Sequence, residues 1–357
     1  MSNLCFMSTE KLKSFIELGN QINDALTRKE SDYEGLSKQQ INLLVQIKKA
    51  GIENGWFSKE MVDRAFQGIV RMLNEDQLEK WIEPYIKEMN SVNEIKEVGI
   101  IMAGNIPAVG FHDLLCVLVS GHKAVVKTSS EDSLLIPGIV DLLISIDNSF
   151  SDKVIILKAP RSKYDAVIAT GSNNSARYFE QYFGKYPHII RKSRTSVAVL
   201  TGEETKQDIS GLAKDLFTYY GLGCRNVSKL LVTKDFDIQK LINELIKHSD
   251  HLKSNGKYQN NIDYNKSILI INKEAFLDGG TFLLKEDKSL HSPISVTFYE
   301  QFDSINEISE YITTHENEIQ CVVSPKIKRG VSFGEAQLPK VSDYADKVDT
   351  MQFLLSL

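Results

Sequence analysis

From about residue 95 the chain alternates short β-branched runs with stretches of helical length, and this alternation limits the fold more than any other feature. Runs at 97–102, 124–127, 153–157, 165–169 and 197–200 read as strands, separated by 108–120, 131–144 and 173–183, each long enough for a crossover helix. Strands that pair in parallel need such crossovers, so the pattern predicts βαβ units in a doubly wound sheet. A second series has strands near 228–233, 267–271, 294–299 and 319–323 with helices around 236–249 and 304–315, and predicts a second α/β domain. The 357 residues exceed what one hydrophobic core usually holds, which agrees with two domains.

Ahead of this alternation, roughly the first 90 residues read as helices. Ser37 precedes one, Ser58 is placed to cap a second, and Asn74 with Gln77 resembles a capping box for a third that Pro84 bends or ends. In the second, Val62, Ala65, Phe66, Ile69 and Leu73 form one apolar stripe that must find a core. There is no internal repeat or low-complexity tract.

Hydrophobic residues make up 42% and charged residues 25%, ordinary globular values that argue against disorder or a membrane class. The formal net charge of -5, without a polybasic stretch, removes the electrostatic basis for nucleic-acid or anionic-membrane partners and points to a small molecule. Cys5, Cys116, Cys224 and Cys321 are scattered without metal-ligand spacing, so they are expected to be reduced thiols in a cytoplasmic setting, with no metal. MSNLCFMSTEKLK lacks the basic and apolar parts of an export signal.

Four segments carry candidate chemistry. In 205–229, Ile209, Leu212, Ala213, Leu216, Phe217 and Tyr220 share a helical face, and Gly221 with Gly223 stops the helix before Cys224. A thiol on such a turn can be presented to a cleft, its own N–H aimed at an attacked carbonyl oxygen; the plainer alternative is an inert core cysteine. The helix offers its negative end to this thiol, so activation must come from elsewhere; Arg225 and Lys229 are nearby, and either could simply face solvent. AGNIPAVGF (103–111) follows the first strand, where Asn105 could donate its amide to an oxyanion, or the turn could merely start a helix at Pro107. In AVVKTSSED (124–132), Lys127 could hold a ribose or phosphate and Ser129 or Ser130 could donate to phosphate, against a snorkelling lysine and a helix cap. In ATGSNNSAR (169–177), Thr170, Gly171 and Ser172 lead into a helix whose unpaired N–H groups suit a pyrophosphate, although a full GxGxxG is absent.

In order, GNIP, VVKTSS, ATGS, VAVLTGEET and GLGCRN resemble the motifs of the aldehyde dehydrogenase superfamily, and GLGCRNVSKL, NGWFSKE, LEKWIEPY and DYADKVDTMQFL resemble the LuxC-type acyl-CoA reductases. The resemblance implies an aldehyde dehydrogenase-like α/β fold: a helical N-terminal region and Rossmann-type cofactor domain over 1–195, a catalytic domain over 196–330, and a segment 331–357 that docks back on the cofactor domain. It implies Cys224 as acyl-accepting nucleophile, Asn105 as oxyanion donor, Lys127 as ribose contact, and Gly171 with Ser172 as phosphate turn. The implied reaction is reduction of a fatty acyl-CoA to an aldehyde by NADPH, with NADH as the alternative, in a homodimer. A different activated acyl group, or a catalytically silent binding protein of the same fold, would also carry these motifs.

Three departures from the superfamily stand out. Ile190 occupies the place of the water-activating glutamate, which suits a reductase whose acyl-enzyme must escape hydrolysis. Ser130 stands where NAD-preferring members carry a glutamate that repels a 2'-phosphate, so NADPH is favoured. Ser289 stands near the place of the ribose-binding glutamate, ahead of HSPISVTFYE.

Overall fold

Strands built from Val, Ile and Ala must be covered on both faces. The computed structural model describes residues 3–28, 33–92 and 94–357, with side chains from residue 12 onward, and divides the chain into two units. One runs to Lys192 and includes 340–357; the other is Ser193–Pro339.

The first unit opens with α1 (Asn3–Thr27), α2 (Lys38–Glu53), α3 (Lys59–Met72) and α4 (Glu75–Ile82); Pro84 then interrupts the helix in a 3-10 turn before α5 (Ile86–Met89). Ser37 and Gln40 form a reciprocal capping box. Asn74 does not: it sits at the N-cap, but the Gln77 N–H is taken by the Asn74 main-chain carbonyl, and Ser58 likewise makes no side-chain cap bond.

Strands β1 (Glu97–Ile101), β2 (Lys123–Lys127), β3 (Val154–Leu157), β4 (Ala166–Thr170) and β5 (His188–Arg191) form a sheet of order β3-β2-β1-β4-β5, parallel throughout. Val98, Ile100, Ala124, Val126 and Ile168 face the helices α6 (Phe111–Val119) and α7 (Leu135–Ile146), against which Phe15, Leu18, Leu43 and Phe66 complete one core. Ile101, Val125, Val167 and Ala169 face the other way, toward Phe179 and Phe183 of α8 (Asn173–Phe183). With helices on both faces, the chain reverses its direction of winding between β1 and β4, and ligands of open α/β sheets bind at the carboxyl ends beside such a switch.

The second unit contains β6 (Thr195–Leu200), α9 (Lys206–Phe217), β7 (Val227–Thr233), α10 (Ile238–Ile246), α11 (Gly256–Ile271), β8 (Leu277–Asp278), β9 (Leu283–Glu286), β10 (Val296–Phe302), α12 (Ile305–Thr314) and β11 (Ile319–Val323). Its sheet has order β11-β6-β7-β10-β9-β8, antiparallel only between β8 and β9. The expected strand at 267–271 is instead the last turn of α11: Asn255 caps that helix, and Tyr258, Ile262 and Leu269 are its buried residues while Ile270 and Ile271 face solvent. A run of four apolar residues, 268–271, has no periodicity of its own to separate helix from strand.

The closing segment returns to the first unit, ending in α13 (Thr350–Leu355). The Nε2 atoms of His112 and His122 bond the carbonyls of Val341 and Leu354 at 2.7 and 2.9 Å, and Arg191 donates to Thr350 Oγ1 at 3.0 Å. Residues 331–339 group with the second unit, where Asp215 accepts the Gly334 and Ala336 N–H groups, so the boundary expected at 330 lies at 339. The other boundary is at 192 rather than 195.

Candidate functional site

At the carboxyl edge of the first unit's sheet, Ile101 of β1 is level with Lys127 of β2 and with Ala169 of β4. The loops carrying Asn105, Ser129 and Ser130, and Thr170, Gly171 and Ser172 therefore leave neighbouring strands at the same edge, astride the switch. The first two loops are packed together at Gly104, where a Cβ would lie 2.5 Å from the Ser129 Oγ; no larger residue fits. Asp132 ties them again: buried, its carboxylate accepts the Ala108 N–H at 2.7 Å and the Leu135 N–H at 3.3 Å. The first bond holds Ala108 in a left-handed conformation (φ 51°), and the second starts α7. Burial pushes the Asp132 carboxyl up to about 6 although both N–H bonds pull it down.

Asn105 and Ser130 are exposed, Lys127 and Ser129 half-buried. The Ser129 Oγ accepts the Glu131 N–H at 3.2 Å, which leaves its own proton for donation. Ser172 caps α8, its Oγ accepting the Ser175 N–H at 3.2 Å. A Cβ on Gly171 would lie 2.8 Å from the Ser175 Cβ and 2.9 Å from the Phe179 ring, so the chain enters α8 by a path only glycine allows. An ammonium, hydroxyls and a helix N-terminus at one edge are a donor set suited to the phosphates and ribose of a dinucleotide. Ile190, in β5, packs partly buried against the apolar cluster of Tyr164 and Phe183, so no carboxylate stands at that position.

The second unit presents the cysteine. Thr205 and Asp208 cap α9 reciprocally, and the helix ends at Phe217. Tyr219, Tyr220 and Gly221 then follow one another with φ of 53°, 56° and 79°. Left-handed backbone costs a non-glycine residue about 1–2 kcal/mol, so this bend needs compensation. Two sources are visible: both tyrosines are buried, and the buried Asn226 amide stitches the bend together. Its Nδ2 lies within bonding distance of the carbonyls of Asp215 (3.1 Å), Leu216 (3.3 Å) and Thr218 (2.7 Å), while its Oδ1 accepts the Gly223 N–H at 2.8 Å. The helix-end carbonyls that would oppose a thiolate thus face a donor.

Cys224 itself is exposed, unlike Cys116 and Cys321, and the Ser196 hydroxyl donates to its carbonyl at 3.0 Å. The Cys5 side chain lies outside the described residues. Neither basic neighbour simply faces solvent. Arg225, half-buried, donates to the Ala336 carbonyl, and Lys229 is fully buried, bonding the Lys288 carbonyl and paired with Glu300. Ser289 is exposed, its N–H held by Asp287 at 2.8 Å.

Sequence reasoning missed Asp132, Ser196 and Asn226, whose roles depend on segments that only the fold brings close. A buried asparagine immediately beyond a glycine-bracketed helix end was the one available signal. Among the described residues, no group of three or more His, Cys, Asp or Glu could hold a metal, and no helix is long and apolar enough to cross a membrane.

Similar folds are found among aldehyde dehydrogenases. One from Physcomitrella patens, solved with succinate, covers 96% of this chain and 84% of its own at TM-score 0.63 and 12% identity. Another from Bacillus cereus, solved as an NAD+ complex, covers 90% and 73% at TM-score 0.60 and 14% identity. Curated relatives include long-chain acyl-protein thioester reductase 2 of Photobacterium leiognathi, 22% identical over 74% of this chain, and the long-chain acyl-protein thioester reductase of Aliivibrio fischeri, 22% identical over 61%. The matched stretches span 60% and 51% of those two proteins. The family model described as acyl-CoA reductase (LuxC) matches residues 57–255, more than half of the chain, and with the aldehyde dehydrogenase-like fold this places the protein in the LuxC family of acyl-CoA reductases.

Proposed function

We propose that this protein reduces a fatty acyl-CoA thioester to the aldehyde with NADPH, through an acyl-enzyme on Cys224. The observation that carries the reading is the exposed thiol on a strained bend whose neighbouring carbonyls are engaged by Asn226. Strained, buried backbone beside an accessible nucleophile is a cost that function repays. The Cys224 thiolate attacks the acyl carbonyl, the carbon–sulfur bond to CoA breaks, and CoA leaves as the thiolate, which takes up a proton. The Cys224 main-chain N–H serves as a donor to the carbonyl oxygen as it gains charge, and Asn105 is the further donor that the resemblance implies.

Lys127, Ser129, Ser130, Thr170, Gly171 and Ser172 are the residues that would hold the nucleotide. When bound, the reduced nicotinamide supplies the two electrons that convert the acyl group to the aldehyde and regenerate the thiolate. Ser130 in place of a carboxylate leaves room for the 2'-phosphate of NADPH, and Ile190 offers no base to activate water, which protects the acyl-enzyme from hydrolysis.

A second reading keeps the chemistry and changes the carrier. The two curated relatives are named for acyl-protein thioesters, which favours an acyl group delivered on a protein thiol. Purified protein is assayed by nicotinamide absorbance with acyl-CoAs of increasing chain length and with acylated carrier protein, each with NADPH and NADH. Turnover with one carrier that Cys224→Ala abolishes, and protection of Cys224 from alkylation by the preferred nucleotide, is the expected result. Turnover that survives Cys224→Ala would remove the acyl-enzyme.

A further inference from the structure

Asp215 is fully buried on α9, and each of its carboxylate oxygens accepts a main-chain N–H from a distant segment: Gly334 at 2.6 Å and Ala336 at 3.0 Å. The segment is pressed onto the helix. A Cβ at Gly211 would lie 2.6 Å from the Phe333 carbonyl carbon, and Gly334, at φ 90°, would place its own Cβ 3.1 Å from the Gly211 Cα. Arg225, the residue after Cys224, completes the connection by donating its Nε to the Ala336 carbonyl and holding its Nη2 3.7 Å from the Cys321 Sγ. On the other side of the same helix end, the Asp215 carbonyl faces the Asn226 amide at 3.1 Å. Both residues that follow the thiol are thus tied to Asp215, one through its side chain and the strap at 333–336, the other through its main chain.

We infer that Asp215 is a positioning residue for Cys224: its carboxylate holds the strap 333–336 on α9, and the strap, through the Ala336 carbonyl, holds Arg225 and the peptide that follows the thiol. Because both oxygens accept, a proton on either one sets an O–H against an N–H and breaks one of the two bonds. Burial pushes the carboxyl up to about 7; the two N–H bonds and the Arg225 guanidinium pull it down, and Glu335 on the strap pushes it up. The strap is therefore fully fastened above neutral pH and loosens as the pH falls through about 7. The consequence for turnover rests on Cys224 being the nucleophile; the arrangement itself is measured without substrate.

The full chain, Asp215→Asn, Gly334→Ala and the double variant are compared by hydrogen exchange of 221–226 and 331–337 and by the pH profile of Cys224 alkylation with iodoacetamide. Asp215→Asn is expected to lower protection about tenfold at both the strap and the cysteine bend while the neighbouring strands stay protected. The wild-type alkylation profile carries an inflection near pH 7 beside that of the thiol, and Asp215→Asn lacks it. Gly334→Ala loosens the same two segments with the carboxylate intact, and the double variant loses no more than the larger single loss, because both act through one strap. The inference is overturned if the strap loosens while the bend stays protected, if the profiles keep the same shape, or if the losses add. Should Asp215→Asn fail to fold, Gly334→Ala and the wild-type profile decide alone. With an acyl thioester, Asp215→Asn lowers kcat about tenfold at unchanged KM. Activity that survives Cys224→Ala would sink the acyl-enzyme reading and leave the exchange result standing.

Discussion

Asn226 is the side chain on which the cysteine bend depends most. Its amide faces three helix-end carbonyls and accepts one N–H, all in a buried setting where water cannot substitute. Asn226→Ala strands these groups, and at roughly 1–3 kcal/mol per buried unsatisfied group the second unit should lose about 3 kcal/mol in urea unfolding. Asn226→Asp keeps the acceptor for Gly223 but sets a charge against the carbonyls, so it should cost more than alanine; a smaller loss than alanine's would show that the Gly223 bond outweighs the charge set against the carbonyls. Asp132 allows a pH test in the first unit. Its carboxyl is raised to about 6, so between about pH 4 and 6 the folded protein keeps a proton that the unfolded chain releases, and stability falls as pH rises through that window. Against Asp132→Asn, which does not titrate, the wild type should lose up to about 3 kcal/mol across the window and stay level above it, read from urea midpoints.

At the scale of elements, α8 is the most exacting connection because its first turn must pass where no side chain fits. Gly171→Ala forces a Cβ against Ser175 and Phe179, which shifts the helix N-terminus that is read as the phosphate site. The expected effect is a rise of about tenfold or more in KM for the nucleotide with a smaller change in kcat, since binding and not acyl transfer is disturbed. This helix was fully legible in the sequence, where a strand and a glycine ahead of a helical stretch at 173–183 announced it. So were the strands of the parallel core, because burial on both faces leaves continuous apolar runs. Legibility failed where local chemistry is ambiguous. The apolar end of α11 looked like a strand, and β5 and β9, four residues each, went unmarked because elements this short owe their form to the sheet they join. The cysteine bend was half legible: Gly221 and Gly223 marked it, but the left-handed Tyr219 and Tyr220 that shape it are stabilised by Asn226 and by burial, which no local pattern encodes.

At the scale of the whole molecule, the second unit is one continuous stretch of chain, whereas the first is completed by the last 18 residues, 340–357. His122 shows how closely that return is specified. Its Nδ1 accepts the Lys96 N–H at 3.2 Å, so the ring proton lies on Nε2 and donates to the Leu354 carbonyl. Tyr85 donates to Asp349 at 2.6 Å, and the Trp81 indole donates to the Tyr344 hydroxyl at 2.7 Å, so the N-terminal helices grip the same segment. Removing residues from Lys340 onward uncovers the seats of Val341, Met351 and Leu354, each worth about 1.5–3 kcal/mol buried, and strands the His112, His122 and Arg191 donors as well. The sum approaches the whole stability of an ordinary domain. The truncated chain should therefore lose the first unit's hydrogen-exchange protection in β1, β2 and β4, while β6 and β7, which belong to the other unit and whose Val197, Val199 and Leu231 pack in a cluster with no residue beyond 339, keep theirs. If β1 and β4 remained protected without the segment, the first unit would be complete without its C-terminal chain, and the histidine and tyrosine bonds would be consequences of docking and not its cause.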